Sequence, residues 1–505
     1  MTKDPVKLSG MLMKASNQTT TWTVSLMVAA FVSIVCGSLA AQESSLGALM
    51  EDVACEYEPV LGLDSRMSAM ERELDEARDQ RPNGVVSAAA HMVSQPPVVP
   101  AGSSAAVKYP SITINGVFQA DAGFFSQDDV SRASLGDIQD GADFRRARLS
   151  AKGSVAETIN YMLQLDFATA GPGRPSFTDV WLESTDHPVL GTIRIGQWKQ
   201  PFSLEVVSSF RYTTFMERSL LFQAFTPFRH LGVGFYDHSD DLNWSWAASA
   251  FRSGQDQFGD SISDNGGWGT SERITYLPWY DESSGGRGYL HLGAAHFLSL
   301  PPNNTVNFRT IPELFIGENG PGAIGTSGQA LPGPINGTPF FVKTGNLAVD
   351  HYNVIGTELL WVHGAFSFQS EAMINYVDQQ LGPNAILPGM YAQVGYFLTG
   401  EHRPYDRKAG TIDRVMPFEN FFHVATDEGT CAGWGAWEIA GRVSVLDLND
   451  ENIRGGSITD LTAGINWYWN PYTKLVFNYV HSHVNDPIFG QSNTGIAAMR
   501  AQIDF

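Results

Sequence analysis

From residue 111 to Phe505 the apolar side chains recur at every second position in runs of about ten residues, and this period constrains the fold more than any other feature of the chain. In residues 158–167, Tyr161, Leu163, Leu165 and Phe167 share one face, and Asn160, Met162, Gln164 and Asp166 share the other. Further on, Leu461, Ala463, Ile465, Trp467 and Trp469 oppose Thr462, Gly464, Asn466 and Tyr468, while Leu475, Phe477 and Tyr479 oppose Lys474 and Asn478. Successive side chains of a strand point to opposite faces. A run of about ten residues, apolar on one face only, is long enough to cross hydrocarbon as a tilted strand. Strands of soluble sandwiches also alternate, but they are usually shorter. The chain closes on the same pattern, with apolar residues at Ala497, Met499, Ala501, Ile503 and Phe505. The expected fold is therefore all-β: a transmembrane antiparallel barrel, whose closure pairs every backbone donor and acceptor.

Composition agrees once the two faces are separated. Mean hydropathy is only −0.13, as expected when half of each strand faces a polar lumen. The 50 Gly and 26 Pro supply turns. Asn470-Pro471 reads as a tight periplasmic turn, and residues 253–269 and 301–339 read as long external loops. At about ten residues per strand, residues 111–505 hold about 16 strands, within a range of about 14 to 18. Trp181, Trp198, Trp244, Trp246, Trp361, Trp434, Trp437, Trp467 and Trp469 are candidates for interfacial girdles, with alternation turning Trp181 inward. A net charge of −21 excludes a basic nucleic-acid binder. Thirty Phe, 16 Tyr and 12 Trp argue against wholesale disorder.

Ahead of the barrel the period changes. Residues 22–41 are the one segment approaching the roughly 20 apolar residues of a membrane helix. They follow Lys3, Lys7 and Lys14 and end in small residues, so 1–41 reads as a signal peptide, with an uncleaved anchor as the alternative. Cys36 does not suit a lipoprotein site, because Val35 stands where a small residue is needed. An acidic segment, 42–80, contains Leu63, Met67, Met70, Leu74 and Ala77 at the spacing of a short coiled coil. That helix would serve self-association or envelope attachment, or stand alone in solvent. Residues 81–110 are a Pro/Ala/Ser-rich linker. Cys55 and Cys431 are free or paired; spacing does not decide.

Six stretches carry a resemblance: ADFRRARLSAKG (142–153), IRIGQWKQPFSLE (193–205), SSFRYTTFMERSL (208–220), GYFLTGEHRPYDRKAG (395–410), GAWEIAGRVSVLDLND (435–450) and GINWYWNPYTKLVFNYVH (464–481). In content and order they resemble the phosphate-selective porin O and P family across 111–505. The resemblance implies a 16-stranded, usually trimeric outer-membrane channel for anions such as phosphate. It matches Arg145-Arg146 to paired arginines of the family and Arg211 to a basic residue near the anion site. It also likens the region of Arg211, Arg218 and Arg229 to a loop that bends into the lumen. Lys199-Gln200 departs from the acidic residues expected there in phosphate-specific members.

Read without the resemblance, alternation turns Arg146, Arg148, Ser150 and Lys152 into the lumen, along with Arg194 and Arg442. Guanidinium forks suit oxyanions and replace part of their hydration. The competing reading for each arginine is a structural ion pair, with Glu217-Arg218, Glu401 with Arg403 and Asp406-Arg407 as local partners. Charges on external loops are screened beyond about 8 Å, so net acidity does not set the sign of ion that passes. The expected function is passive diffusion of small anions, with no cofactor, metal or catalysis. Its alternatives are a general or cation-leaning pore and a plugged structural or adhesive barrel. The GxGxxG string at 320–325 lacks the strand and helix of a nucleotide site, and His481 with His483 lacks a third metal ligand.

Overall fold

The computed structural model describes residues 108–168, 176–253, 267–317, 338–422, 424–426 and 429–505. The signal-peptide and coiled-coil segments lie outside them, as does the GxGxxG string. Sixteen long antiparallel strands form one closed barrel. The first eight are β1 (Thr113–Gln127), β2 (Gly141–Ala156), β3 (Ile159–Asp166), β4 (Ser176–His187), β5 (Gly191–Lys199), β6 (Arg229–His238), β7 (Trp244–Arg252) and β8 (Trp268–Tyr280). The rest are β9 (Gly288–Leu300), β10 (Leu347–His363), β11 (Phe366–Gln379), β12 (Ala385–Phe397), β13 (Ala436–Asp450), β14 (Ile453–Asn470), β15 (Thr473–Asp486) and β16 (Gly490–Asp504). Each pairs with its neighbours in sequence, and β1 closes the ring on β16 from Val117↔Asp504 to Gln127↔Thr494. Phe505 extends the seam by exchanging two backbone hydrogen bonds with Gly116, each 3.0 Å. Its ring covers Gly116 so closely that a Cβ there would lie 2.3 Å from Cζ, so a larger residue would have to push the ring aside.

Alternation sorts the faces as expected. Leu461, Ile465, Phe477, Tyr479, Met499 and Ile503 are exposed on the outer surface, while Thr462, Asn466, Lys474, Asn478 and Arg500 are buried within. Trp181 turns inward and stacks under Arg194, 4.3 Å from its guanidinium. Trp198 departs from the girdle expectation. It is only 7% exposed, with its ring edge against Gly234, because its parity on β5 is that of inward-facing Arg194.

At the end bearing the chain termini most connections are short, including 157–158, 364–365 and 471–472. One is not: residues 398–435 join β12 to β13 there. At the opposite end, residues 200–228 carry two short helices, α1 (Leu204–Val207) and α2 (Leu220–Phe225), and are almost wholly buried.

The expectation that 301–339 is an external loop is corrected over its described first part. Val306, Phe308, Ile311, Leu314, Phe315 and Ile316 are all buried. The reason is apolar content: Val306 and Phe308 pack with α2 and with inward-facing Val349, Met373, Val377, Leu387, Leu446 and Ile458 of β10–β14, and Leu314 and Ile316 pack with Met216 and with Val476, Val480 and Ile496 of β15 and β16. Those wall positions break the polar-inward rule, and such a wall excludes water only if something apolar covers it. One side of the lumen is thus a dry core. The middle of the other expected loop, 254–266, lies outside the described residues.

Candidate permeation site

Two successive arginines of β2 face inward because the strand bulges. Gln119 pairs with Arg146 and the next residue, Ala120, with Phe144, so Arg145 is left without a register partner. Such a bulge re-aims a side chain that strict alternation would send into lipid. Arg145 and Arg146 are both buried, and Phe144 is 51% exposed on the outer face.

Arg146 and Arg148 meet a residue of the inward loop. The guanidiniums of Arg146, Arg148 and Arg211 lie 4.6, 4.8 and 5.1 Å from the centre of one ring, that of Phe210. A ring face attracts cations, so Phe210 holds three side chains of like charge near one point. Each also has a polar anchor. Arg146 donates to Gln119 at 2.8 Å, Arg148 donates to Asp166, and Arg211 lies 3.6 Å from Asp504.

Asp504 is shared. Arg414, from the 398–435 connection, also donates to it and to the carbonyl of Pro471. The Arg211 and Arg414 side chains are 19% and 21% exposed, so one carboxylate faces two partly open cations.

The other expected lining residues divide by exposure. Lys152 is exposed in a recess of about 440 Å³ with Asn115, Asn160 and Glu183. Arg194 donates to Glu183 at 2.7 Å and to the Tyr236 hydroxyl at 2.9 Å. It borders a cavity of about 300 Å³ that is also lined by Lys199, Arg273, Lys408, Asp179 and Asp237. Arg145, Arg218, Arg229 and Arg442, expected along the path, are enclosed in protein, and Arg146 and Arg148 are buried to the same degree. Arg145 forms a fork with Glu217 at 2.8 and 2.9 Å, and Arg229 another with Asp179. Arg442 bonds Glu313 at 2.8 Å and Glu205 at 3.1 Å. Arg218 donates to the carbonyls of Glu205, Val206 and Ser208, bracing the bend of the loop from inside. Burial lowers its pKa to about 10. A buried guanidinium needs such partners, because desolvation without them costs several kcal/mol.

The local pairings expected from sequence do not form. Glu217 binds Arg145 and Arg500 rather than Arg218; Arg403 binds Glu438; Arg407 binds Glu282. Burial opposes the Glu217 charge, but Arg145, Arg500 and Arg146 hold its carboxyl well below the usual carboxylate range. Sequence reading overlooked Arg273 and Arg500, which their inward parity on β8 and β16 could have revealed. It also overlooked Lys408 and Arg414, for which a long connection offers no period to read.

A closed barrel of this kind, with charged segments folded into its lumen, is the architecture of an outer-membrane porin. The chain belongs to the phosphate-selective porin O and P family, which it matches over residues 112–505. It is 25% identical to Porin O of Pseudomonas aeruginosa over 391 residues, covering 73% of this chain and 82% of that one. An uncharacterized protein of Caulobacter vibrioides is also 25% identical, over 67% of this chain and 62% of its own. Among solved structures, an anion-selective porin from Comamonas acidovorans aligns at 11% identity and a TM-score of 0.44, covering 78% of this chain and 99% of its own. The protein is an outer-membrane channel.

Proposed function

We propose that this channel favours small anions, phosphate-like oxyanions among them. The observation that carries the reading is the pair Arg211 and Arg414, which share the single carboxylate of Asp504 while remaining partly exposed. One positive charge is left over in a confined space, where local charge outweighs the acidic average of the chain. Lys152 and Lys408 add to it, neither having an ion pair among the described residues. Arg146 and Arg148 stand behind Phe210, within reach of an ion that displaces the ring. The family name and the planar fork of arginine both favour oxyanions.

Planar-bilayer recording in a salt gradient tests the reading. The native protein should show unitary conductance with an anion-signed reversal potential and partial block of chloride current by phosphate. The double variant Arg211→Ala/Arg414→Ala should shift the reversal potential toward cation preference, and an unchanged potential would refute the assignment. A plugged structural barrel is the second reading, favoured by the three segments, 200–228, 301–317 and 398–415, that enter the lumen; it requires that no unitary current be seen. We further read the protein as a homotrimer exported by residues 1–41, with 42–80 as a self-association helix joined to the barrel domain by 81–110. Crosslinking with and without 42–80 tests the helix, and an unchanged oligomer would sink it.

A further inference from the structure

Two recesses on the open side of the lumen meet at one ion pair. The cavity of about 300 Å³ is bordered by Arg194 of β5 and Tyr236 of β6, by Lys199 and Val207 where the inward loop begins, and by Lys408 of the 398–435 connection. The recess of about 440 Å³, beside the 157–158 turn, is bordered by Lys152, Asn160 and Glu183. Glu183 and Arg194 are cross-strand partners on β4 and β5, so their bonded side chains stand between the two spaces. The partners are not held alike. The Arg194 guanidinium lies 4.3 Å from the centre of the Trp181 ring and 4.9 Å from that of Tyr236, and these faces fix its plane. Glu183 is attached chiefly through one oxygen: its Oε2 accepts from Arg194 Nε at 3.0 Å, from Nη2 at 2.7 Å and from the Tyr236 hydroxyl at 2.7 Å. Its Oε1 accepts from the amide of Asn160 at 3.5 Å. Three donors thus converge on a single anionic oxygen, and that oxygen belongs to the chain.

We propose that Glu183 is a specificity gate: it fills, as a resident counter-ion, an oxyanion site at Arg194 and Tyr236 that a permeating oxyanion takes over by displacing it. The inference rests on the anion reading above and adds a second station to it, away from the Phe210 cluster. Exchange of one anionic oxygen for another keeps all three donors satisfied by charge-assisted hydrogen bonds and is close to balanced. A halide has no second oxygen to offer, whereas the remaining oxygens of an oxyanion face Lys408 on one side and Lys152 on the other. The displaced carboxylate turns toward Asn160 and the recess of Lys152. Between passages it returns, so the guanidinium is never left without a counter-charge. A negative charge in the path of anions therefore sharpens the choice among them.

Glu183→Gln keeps an oxygen for the three donors and removes the competing charge. In planar bilayers with potassium chloride on one side and potassium phosphate on the other, the chloride permeability relative to phosphate should rise about tenfold, the equivalent of one charge-assisted hydrogen bond. A pair that is merely structural would alter passage of both anions alike, and a ratio left at its native value would overturn the gate. Tyr236→Phe, which leaves every charge in place, gives a second reading that stands even where Glu183→Gln does not insert. It removes one donor from the site, so the phosphate concentration that half-blocks chloride current should rise about tenfold; an unchanged concentration would count equally against the proposal. The two inferences separate in the native channel. A cation-signed reversal potential there sinks the anion reading and the gate together, whereas an anion-signed potential with an unaltered ratio in Glu183→Gln sinks the gate alone.

Discussion

The two sides of the lumen obey one alternation and end in different media. Along β4–β6 the inward residues include Asp179, Glu183, Arg194 and Tyr236, several of them partly exposed beside an open cavity. Along β10–β14 the inward Val354, Met373, Val377, Leu387 and Leu446 are almost fully enclosed by α2 and the 301–317 segment. Parity thus assigns a side chain to the inside of the barrel without assigning it to water. Where both faces of a strand are apolar, as at Val445 and Leu446, the inner one demands a cover. Inward-folded segments are that cover.

The largest effect should come from the knot that fastens the loop to the wall. Removing its acid with Glu217→Ala takes the carboxylate fork from buried Arg145 and one of the two acids from buried Arg500, and should cost about 3–5 kcal/mol, read as a lower denaturant midpoint in detergent. If the midpoint is unchanged, the loop is held by apolar packing alone. On the dry side Leu221→Ala should cost about 2–5 kcal/mol and leave ion selectivity unchanged. Its counterpart on the wet side, Arg194→Ala, should cost about 1 kcal/mol or less and shift the reversal potential toward cations. Equal stability losses for these two would erase the distinction between the sides. The smallest effect concerns pH. The Glu217 pKa lies below its ordinary value of 4.5, so the stability its charge contributes is fully present above that value and is lost as pH falls through the lower folded value. A denaturant midpoint that already declines between neutral pH and 4.5 would show that another group governs the attachment.

Much of the site was legible from single strands. Arg146, Arg148, Lys152 and Arg194 lie on inward parities, and the resemblance placed Arg211 in a loop that enters the lumen. Arg145 was legible only through the resemblance, because a one-residue bulge reverses its parity. Partners were not legible. Glu217 is adjacent to Arg218 in sequence yet bonds Arg145 and Arg500, on strands at opposite ends of the chain. The girdle tryptophans stood out by parity, but the contact of Phe421, from the 398–435 connection, with Trp467 and Trp469 carried no periodic signal.

By itself the sequence determined a closed tube, because alternation is set residue by residue through the pleat and survives whatever the neighbours are. Tertiary structure alone decided which inward residues meet water, which arginines are neutralised and where the long connections go. Each of those depends on the desolvation of groups hundreds of residues apart, as with Arg500 and Asp121 or Arg442 and Glu205. Such contacts exist only once the barrel has closed and its loops have folded in.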